Sequence, residues 1–256
     1  MDRLDETLNG FERHGISHLS ASSINTWTNA PDVWVARYLL KKKTSFGPAP
    51  ARGIAVEQAV VHTLMGESES AAIQKALDKF DEEFLARTPE VEKERNAIVP
   101  MTQIAIEELV EFGRPEFPEG TDQEKITITA KTDTWSIPLI GYLDLVFPQH
   151  GTVVDLKTTN RIPSTMSREH QVQRAIYAKA KGNHRVAFLY VSSQKARWLE
   201  DGDPTDILGQ VKQQVIRLEA FLRHHTAETA RDTVPVNPGS FYWRGDEELR
   251  REIYGV

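Results

Sequence analysis

Apolar residues recur at helical spacing through IAVEQAVVHTLM (54–65), where Ile54, Val56, Val60, Val61 and Leu64 make one apolar surface of a predicted helix. Two more helical stretches follow, about 69–86 and 90–112, with Thr88 and Pro89 where an N-cap and a first-turn proline belong. Upstream, ISHLSASSINTW (16–27) offers Ser20 or Ser22 as the cap of a helix beginning near Ala21. The period then changes. KITITAKTDTWSIPLIGYLDLVFPQHGTVVDLKTT (125–159) has the β-branched residues and turn signals of three successive strands, about 124–133, 137–147 and 151–158. A helix is predicted over about 167–181, a strongly apolar strand over 184–192 and a long helix over 206–229. A loop and a short helix close the chain.

The order helix, three-strand meander, helix, strand predicts an α/β fold with a mixed central sheet flanked by helices. A chain of 256 residues can bury one substantial core. A single domain over 1–256 is therefore expected, with a helical part to about 120, an α/β core over about 121–230 and a C-terminal loop and helix over 231–256.

The second and third strands bring charged residues together. With the turn centred between Gln149 and His150, antiparallel partners have numbers that sum to 299, and Asp144 falls opposite Asp155. Such partners have Cβ atoms roughly 4.5–5.5 Å apart and project from one face. Asp155 and Lys157 share that face at a repeat of about 6.7 Å. Leu143, Leu145, Val154 and Leu156 alternate with them, the pattern of a half-buried hairpin. Two such aspartates repel, and Lys157 offsets one unit of charge. A divalent cation, Mg²⁺ or Mn²⁺, suits the remaining carboxylate oxygens and would draw a phosphate oxygen as a further ligand. An exposed surface hairpin shows the same triplet, so these features alone leave both readings open.

The net charge of −6 argues mildly against a protein that coats nucleic acid, but the charge is unevenly placed. Residues 66–124 hold sixteen acids and six bases, whereas residues 155–185 hold seven bases and two acids. The second stretch is either a local basic field over a cleft or a solvated helix face. The chain has no cysteine, which excludes disulfides, thiolate metal sites and cysteine nucleophiles. The polar start MDRLDETLNGFERHG reads as neither signal peptide nor anchor, and no apolar run approaches ~18 residues. A cytoplasmic protein is expected, with no membrane partner.

Five short landmarks stand in order: ISHLSASSINTW with a following Pro31, RGIAVE (52–57), GYLD (141–144), VVDLKT (153–158) and QRAIY (173–177). Together they resemble the RecB-like branch of the PD-(D/E)XK nuclease superfamily, in particular its small phage, bacterial and mitochondrial DNA exonucleases. The resemblance implies a restriction-endonuclease-like core and Mg²⁺- or Mn²⁺-dependent cleavage of DNA from a strand end, leaving 5′-phosphate and 3′-hydroxyl products. It casts Glu57, Asp144, Asp155 and the Leu156 carbonyl as metal ligands, and Lys157 as the group that aids the nucleophile. Gln173 and Tyr177, four apart on a helix, would border the site, completing the catalytic set. Ser22, Ser23, Arg52, Arg161 and Arg174 would contact DNA. Gly53 would let the helix start approach the sheet or DNA closely. Trp27, Trp34 and the Arg37, Lys41, Lys42, Lys43 group are candidates for base stacking and phosphate attraction, with a core role the alternative for the tryptophans. Several relatives bind an iron–sulfur cluster through four cysteines; here Ala30 precedes Pro31 and VNPGSFYWRG has no cysteine, so Trp243 and its neighbours must hold that end by packing. The alternatives in activity are a structure-specific endonuclease and a non-cleaving DNA-binding protein. Expected partners are DNA and a recombination, single-strand-binding or helicase protein in a bacterial or phage-infected cytoplasm, with the oligomeric state open.

Overall fold

A computed structural model of the chain describes residues 8–121, 123–129, 136–182 and 184–256. Among the described residues, seven strands form two sheets. The smaller sheet has the order β1 (Leu19–Ser20), β3 (Leu139–Leu143), β2 (Glu124–Ile128), with β1 parallel and β2 antiparallel to β3. The larger runs β4 (Leu145–Phe147), β5 (Thr152–Thr158), β6 (Arg185–Val191), β7 (Ala196–Leu199). Only its β5–β6 pair is parallel, as the intervening helix requires. This is the expected α/β arrangement, a mixed sheet flanked by helices. Of the expected first strand, residues 130–133 lie outside the described residues.

The hairpin register is the expected one. Leu145 pairs with Val154, Val146 with Val153 and Phe147 with Thr152, around a 3₁₀ turn at Pro148–His150. Gly151 ends that turn at φ 57°, in the left-handed region that glycine enters at little cost. Two expectations are corrected. The strand expected over 137–147 breaks at Asp144, which separates β3 in one sheet from β4 in the other. The hairpin is not half-buried: Thr152 to Leu156 are all buried, because both faces of the sheet are covered.

The covering layers explain this. On one face Val146, Val153, Val186 and Phe188 pack with α2 (Ala21–Asn29), α7 (Arg168–Lys181) and α8 (Pro204–His224). On the other, Leu145, Val154, Leu156 and Leu189 pack with α4 (Pro48–Leu64), α5 (Glu69–Glu83) and α6 (Pro89–Leu109). Strand alternation sends Asp155 and Lys157 with Val153 toward α7.

The helices begin where the sequence places caps. The Ser20 side chain accepts from Ser23 N and starts α2, and Thr88 accepts from Val91 N and starts α6. The helix expected over 206–229 is two helices, α8 and α9 (Ala227–Thr233), because Thr226 and Thr229 form a capping box between them. The short helix α3 (Pro31–Trp34) continues as a π-helical turn over Val35–Leu39.

Trp27 and Trp34 are core residues. Trp34 is buried edge-on to Trp27, and Trp27 packs on Phe221. Trp243 is also buried, with Ala30, Val33 and Ala36 around it, and its indole N–H donates to Asp32 Oδ2 at 2.7 Å. Packing thus holds the chain end to α3, as the sequence requires.

Candidate active site

The break at Asp144 has a direct cause. Its buried carboxylate turns across to β5 and accepts the Leu156 backbone N–H at Oδ2, 3.0 Å away. One strand later, buried Asp155 lies on the face toward α7, where Gln173 Nε2 donates to its Oδ1 at 2.8 Å. Lys157 Nζ stands 2.5 Å from Asp155 Oδ2 and 5.4 Å from the Phe188 ring centre. The same Gln173 amide donates to the Tyr177 hydroxyl at 2.8 Å, and that hydroxyl donates to the Tyr142 carbonyl at 2.5 Å. An unbroken run of hydrogen bonds therefore joins Asp155 through α7 to β3.

Glu57 reaches the site from α4. Gln123, just before β2, donates its amide to Glu57 Oε1 at 2.7 Å and more weakly to Asp144 Oδ1 at 3.4 Å. Asp144, Lys157, Gln123, Gln173 and Tyr177 line a cavity of about 600 Å³.

Electrostatics follow from the crowding. Burial, then Asp155, then Glu57 push the Asp144 carboxyl well above the usual carboxylate range. Burial also raises Asp155, against the pull of Lys157. Burial alone would favour a neutral Lys157 amine, but Asp155 and then Asp144 hold it above its ordinary range. Burial, followed by the same aspartates, raises Tyr177 well above the phenol range. The site holds more negative charge than its lysine offsets.

Among the described residues, no group of three or more His, Cys, Asp or Glu side chains is gathered as a ready metal cage. The donor chemistry nevertheless fits a hard divalent ion. Mg²⁺ is commonly held by one or two carboxylates, with water and substrate phosphate completing its shell. Asp155 Oδ2 is buried without a well-aligned hydrogen bond, and Asp144 and Asp155 are desolvated together. Leu156 meets Asp144 through its N–H.

The expected DNA contacts divide. Ser22 is exposed and lines the cavity, with its hydroxyl 2.9 Å from that of Ser20. Ser23 is buried in the helix cap, its hydroxyl donating to Ser20 O. Arg52 is buried, paired with Glu94 and bonded to Thr158, so it ties α4 and α6 to the end of β5. Arg174 donates to the carbonyls of Val186 and Gly202, 2.8 and 2.9 Å away, and so braces α7 against the chain beyond it. Arg161 stands exposed beyond β5.

Some residues escaped the sequence reading. Gln123 belongs to none of the five landmarks. Gly141 was quoted only within GYLD, although a glycine inside a strand often marks a close approach. A Cβ there would lie 2.7 Å from Tyr177 Cε1. Gly53 shows a milder form of the expected approach to the sheet, its missing Cβ falling 3.3 Å from Thr158 Oγ1. His170 lines the cavity with its Nδ1 2.5 Å from the Tyr190 hydroxyl.

Two neighbouring strands that bring D and D-x-K together beside one cavity are joined by a match over most of the chain. Residues 18–241 match the model of the PD-(D/E)XK nuclease superfamily. The chain belongs to that superfamily. No curated protein matches it. In this superfamily member, Asp144 and the 155–157 triplet occupy the β3–β4 junction and β5, over the cavity just described. Among the described residues, no helix is long and apolar enough to cross a membrane.

Proposed function

We propose that this superfamily member is a Mg²⁺- or Mn²⁺-dependent deoxyribonuclease of the RecB-like branch, acting as an exonuclease that leaves 5′-phosphate and 3′-hydroxyl ends. One observation carries the reading: two buried aspartates and a lysine from adjoining strands converge beside a cavity, with more negative charge than the chain itself compensates. Asp144, Asp155, Glu57 and the Leu156 carbonyl would hold the ion. When bound, a divalent cation offsets that charge and polarises a phosphodiester.

The chain's own groups do the rest. Lys157 Nζ orients the attacking water and stabilises charge that develops on the phosphate oxygens. Gln173 fixes Asp155 through its amide, and Tyr177 fixes Gln173 against β3. Ser22 and Arg161 approach the DNA backbone. Residues 1–256 act as one nuclease domain, in a cytoplasmic setting of DNA repair, recombination or phage DNA processing beside a helicase or single-strand-binding partner.

The test is digestion of end-labelled linear, gapped and circular DNA with Mg²⁺, Mn²⁺ or EDTA. Metal-dependent shortening from the ends of linear DNA, abolished in Asp155→Asn, is expected. Cleavage of circular single strands would replace the exonuclease reading with an endonuclease. No metal-dependent cleavage of any substrate would remove the enzymatic reading.

A further inference from the structure

The cavity that holds Asp144 and Lys157 is lined elsewhere by α2, by the π-helical turn and by the C-terminal segment, through Ser22, Asn25, Arg37 and Tyr242. Its cations differ in their commitments. Lys157 is engaged by Asp155. Arg37 has no carboxylate partner among the described residues, and its Nε is buried without a hydrogen bond. A π-turn is an uncommon way to aim a side chain and is found frequently at functional sites. The basic character continues past it through Lys41 and Lys43, both exposed, while Lys42 pairs with Glu252.

Next to Tyr242, Phe241 presents a large apolar ring to solvent, 74% exposed. The Arg244 guanidinium lies 5.2 Å from its centre, and the Phe241 and Tyr242 rings are 6.3 Å apart. An exposed aromatic backed by arginine is the chemistry of a base-stacking platform, and an unpaired base has a free face to offer it. A paired, stacked base does not.

We propose that Arg37 binds a strand phosphate and Phe241 stacks a base, so that the π-turn and the 241–244 segment form a single-strand track into the cavity. This rests on the nuclease reading of the site and adds the form of DNA that it takes.

The two residues have separable signatures. Binding is measured by fluorescence anisotropy on the full chain in EDTA, over a range of salt, with a labelled oligothymidine and a blunt duplex. Arg37→Ala should weaken single-strand binding and lower the slope of log affinity against log salt by about 0.7, the loss of one phosphate contact. Arg37→Lys should keep most of that slope. Phe241→Ala, at an exposed site that leaves the fold intact, should weaken oligothymidine binding about fivefold or more with an unchanged salt slope. It should leave duplex binding as it was. Thermal unfolding of each variant in EDTA confirms folding. An unchanged slope in Arg37→Ala, or equal losses on both DNA forms in Phe241→Ala, overturns the track. If the wild type binds and cleaves DNA while both variants match it, the track alone falls. If the wild type neither binds DNA nor cleaves it with Mg²⁺ or Mn²⁺, the nuclease reading falls with it.

Discussion

Asp144 accepts the backbone N–H of Leu156 at 3.0 Å, so one carboxylate both replaces a rung of the strand ladder and faces the cavity. Asp144→Asn keeps an oxygen for that N–H and removes the charge. The sign of the stability change follows from linkage. A carboxyl raised in the folded state holds its proton there, so its cost to folding grows as pH rises above about 4, the unfolded value. The Asn variant should therefore be more stable than wild type in EDTA at pH 8, by about 1 kcal/mol, and the gap should narrow toward pH 5. Urea unfolding at both pH values measures this. DNA cleavage should fall at least ~10²-fold in the same variant, as expected when a stabilising change removes a functional charge.

Lys157 is the charge partner of an aspartate with no access to solvent. Lys157→Met preserves the aliphatic stem beside Phe188 and strands that charge. A loss of about 3 kcal/mol at pH 8 is expected, with turnover at least ~10²-fold lower. Adding Asp155→Asn should recover the stability and leave the activity absent. A double variant as unstable as the single one would show that Lys157 acts through packing.

Gly141 and Tyr177 are in contact because the glycine has no Cβ. Gly141→Ala would place a carbon 2.7 Å from Tyr177 Cε1 and 3.3 Å from Ile126. The ring must shift, breaking its hydrogen bond to the Tyr142 carbonyl. Destabilisation by about 1–3 kcal/mol is expected, together with reduced cleavage. Tyr177→Phe removes the hydroxyl and keeps the ring, so it should lose less stability than Gly141→Ala. Chemical unfolding of the two variants distinguishes crowding from the lost bond.

His170 gives the fold an acid limit. Burial, then Lys157, lower its pKa to about 4. The ring shares a hydrogen bond with the Tyr190 hydroxyl at Nδ1. Its folded value lies below the unfolded ~6.5, so its contribution is fully present above that pH and is lost as pH falls toward 4. The loss is about 2–3 kcal/mol by pH 4. A His170→Gln variant should show a flatter stability profile between pH 6.5 and 4. Parallel slopes for variant and wild type in that window would assign the acid sensitivity to other groups.

The sequence carried the site's main geometry because strand pairing is arithmetic: a turn of known centre places 144 against 155 and puts 157 on the same side. It could not carry the break at Asp144, since a side chain that takes over a backbone partner leaves no periodic trace. β1 and β7 were too short for alternation to register. The α8–α9 division did have a signal, the Thr226 and Thr229 pair that caps the second helix. Arg52 shows what a motif cannot tell: it opens RGIAVE, but its buried partner Glu94 lies 42 residues away. Gln123 was invisible for a similar reason, because an amide that links acids from two other elements has no sequence spacing of its own.

The interruption between β3 and β4 makes a single residue the hinge pin of two sheets. A tilt of the three-stranded ribbon against the four-stranded one would pull on the Asp144 carboxylate, which is bonded across the seam to Leu156. A change of curvature at that junction would therefore reach the Leu156 amide of the neighbouring strand through one side chain.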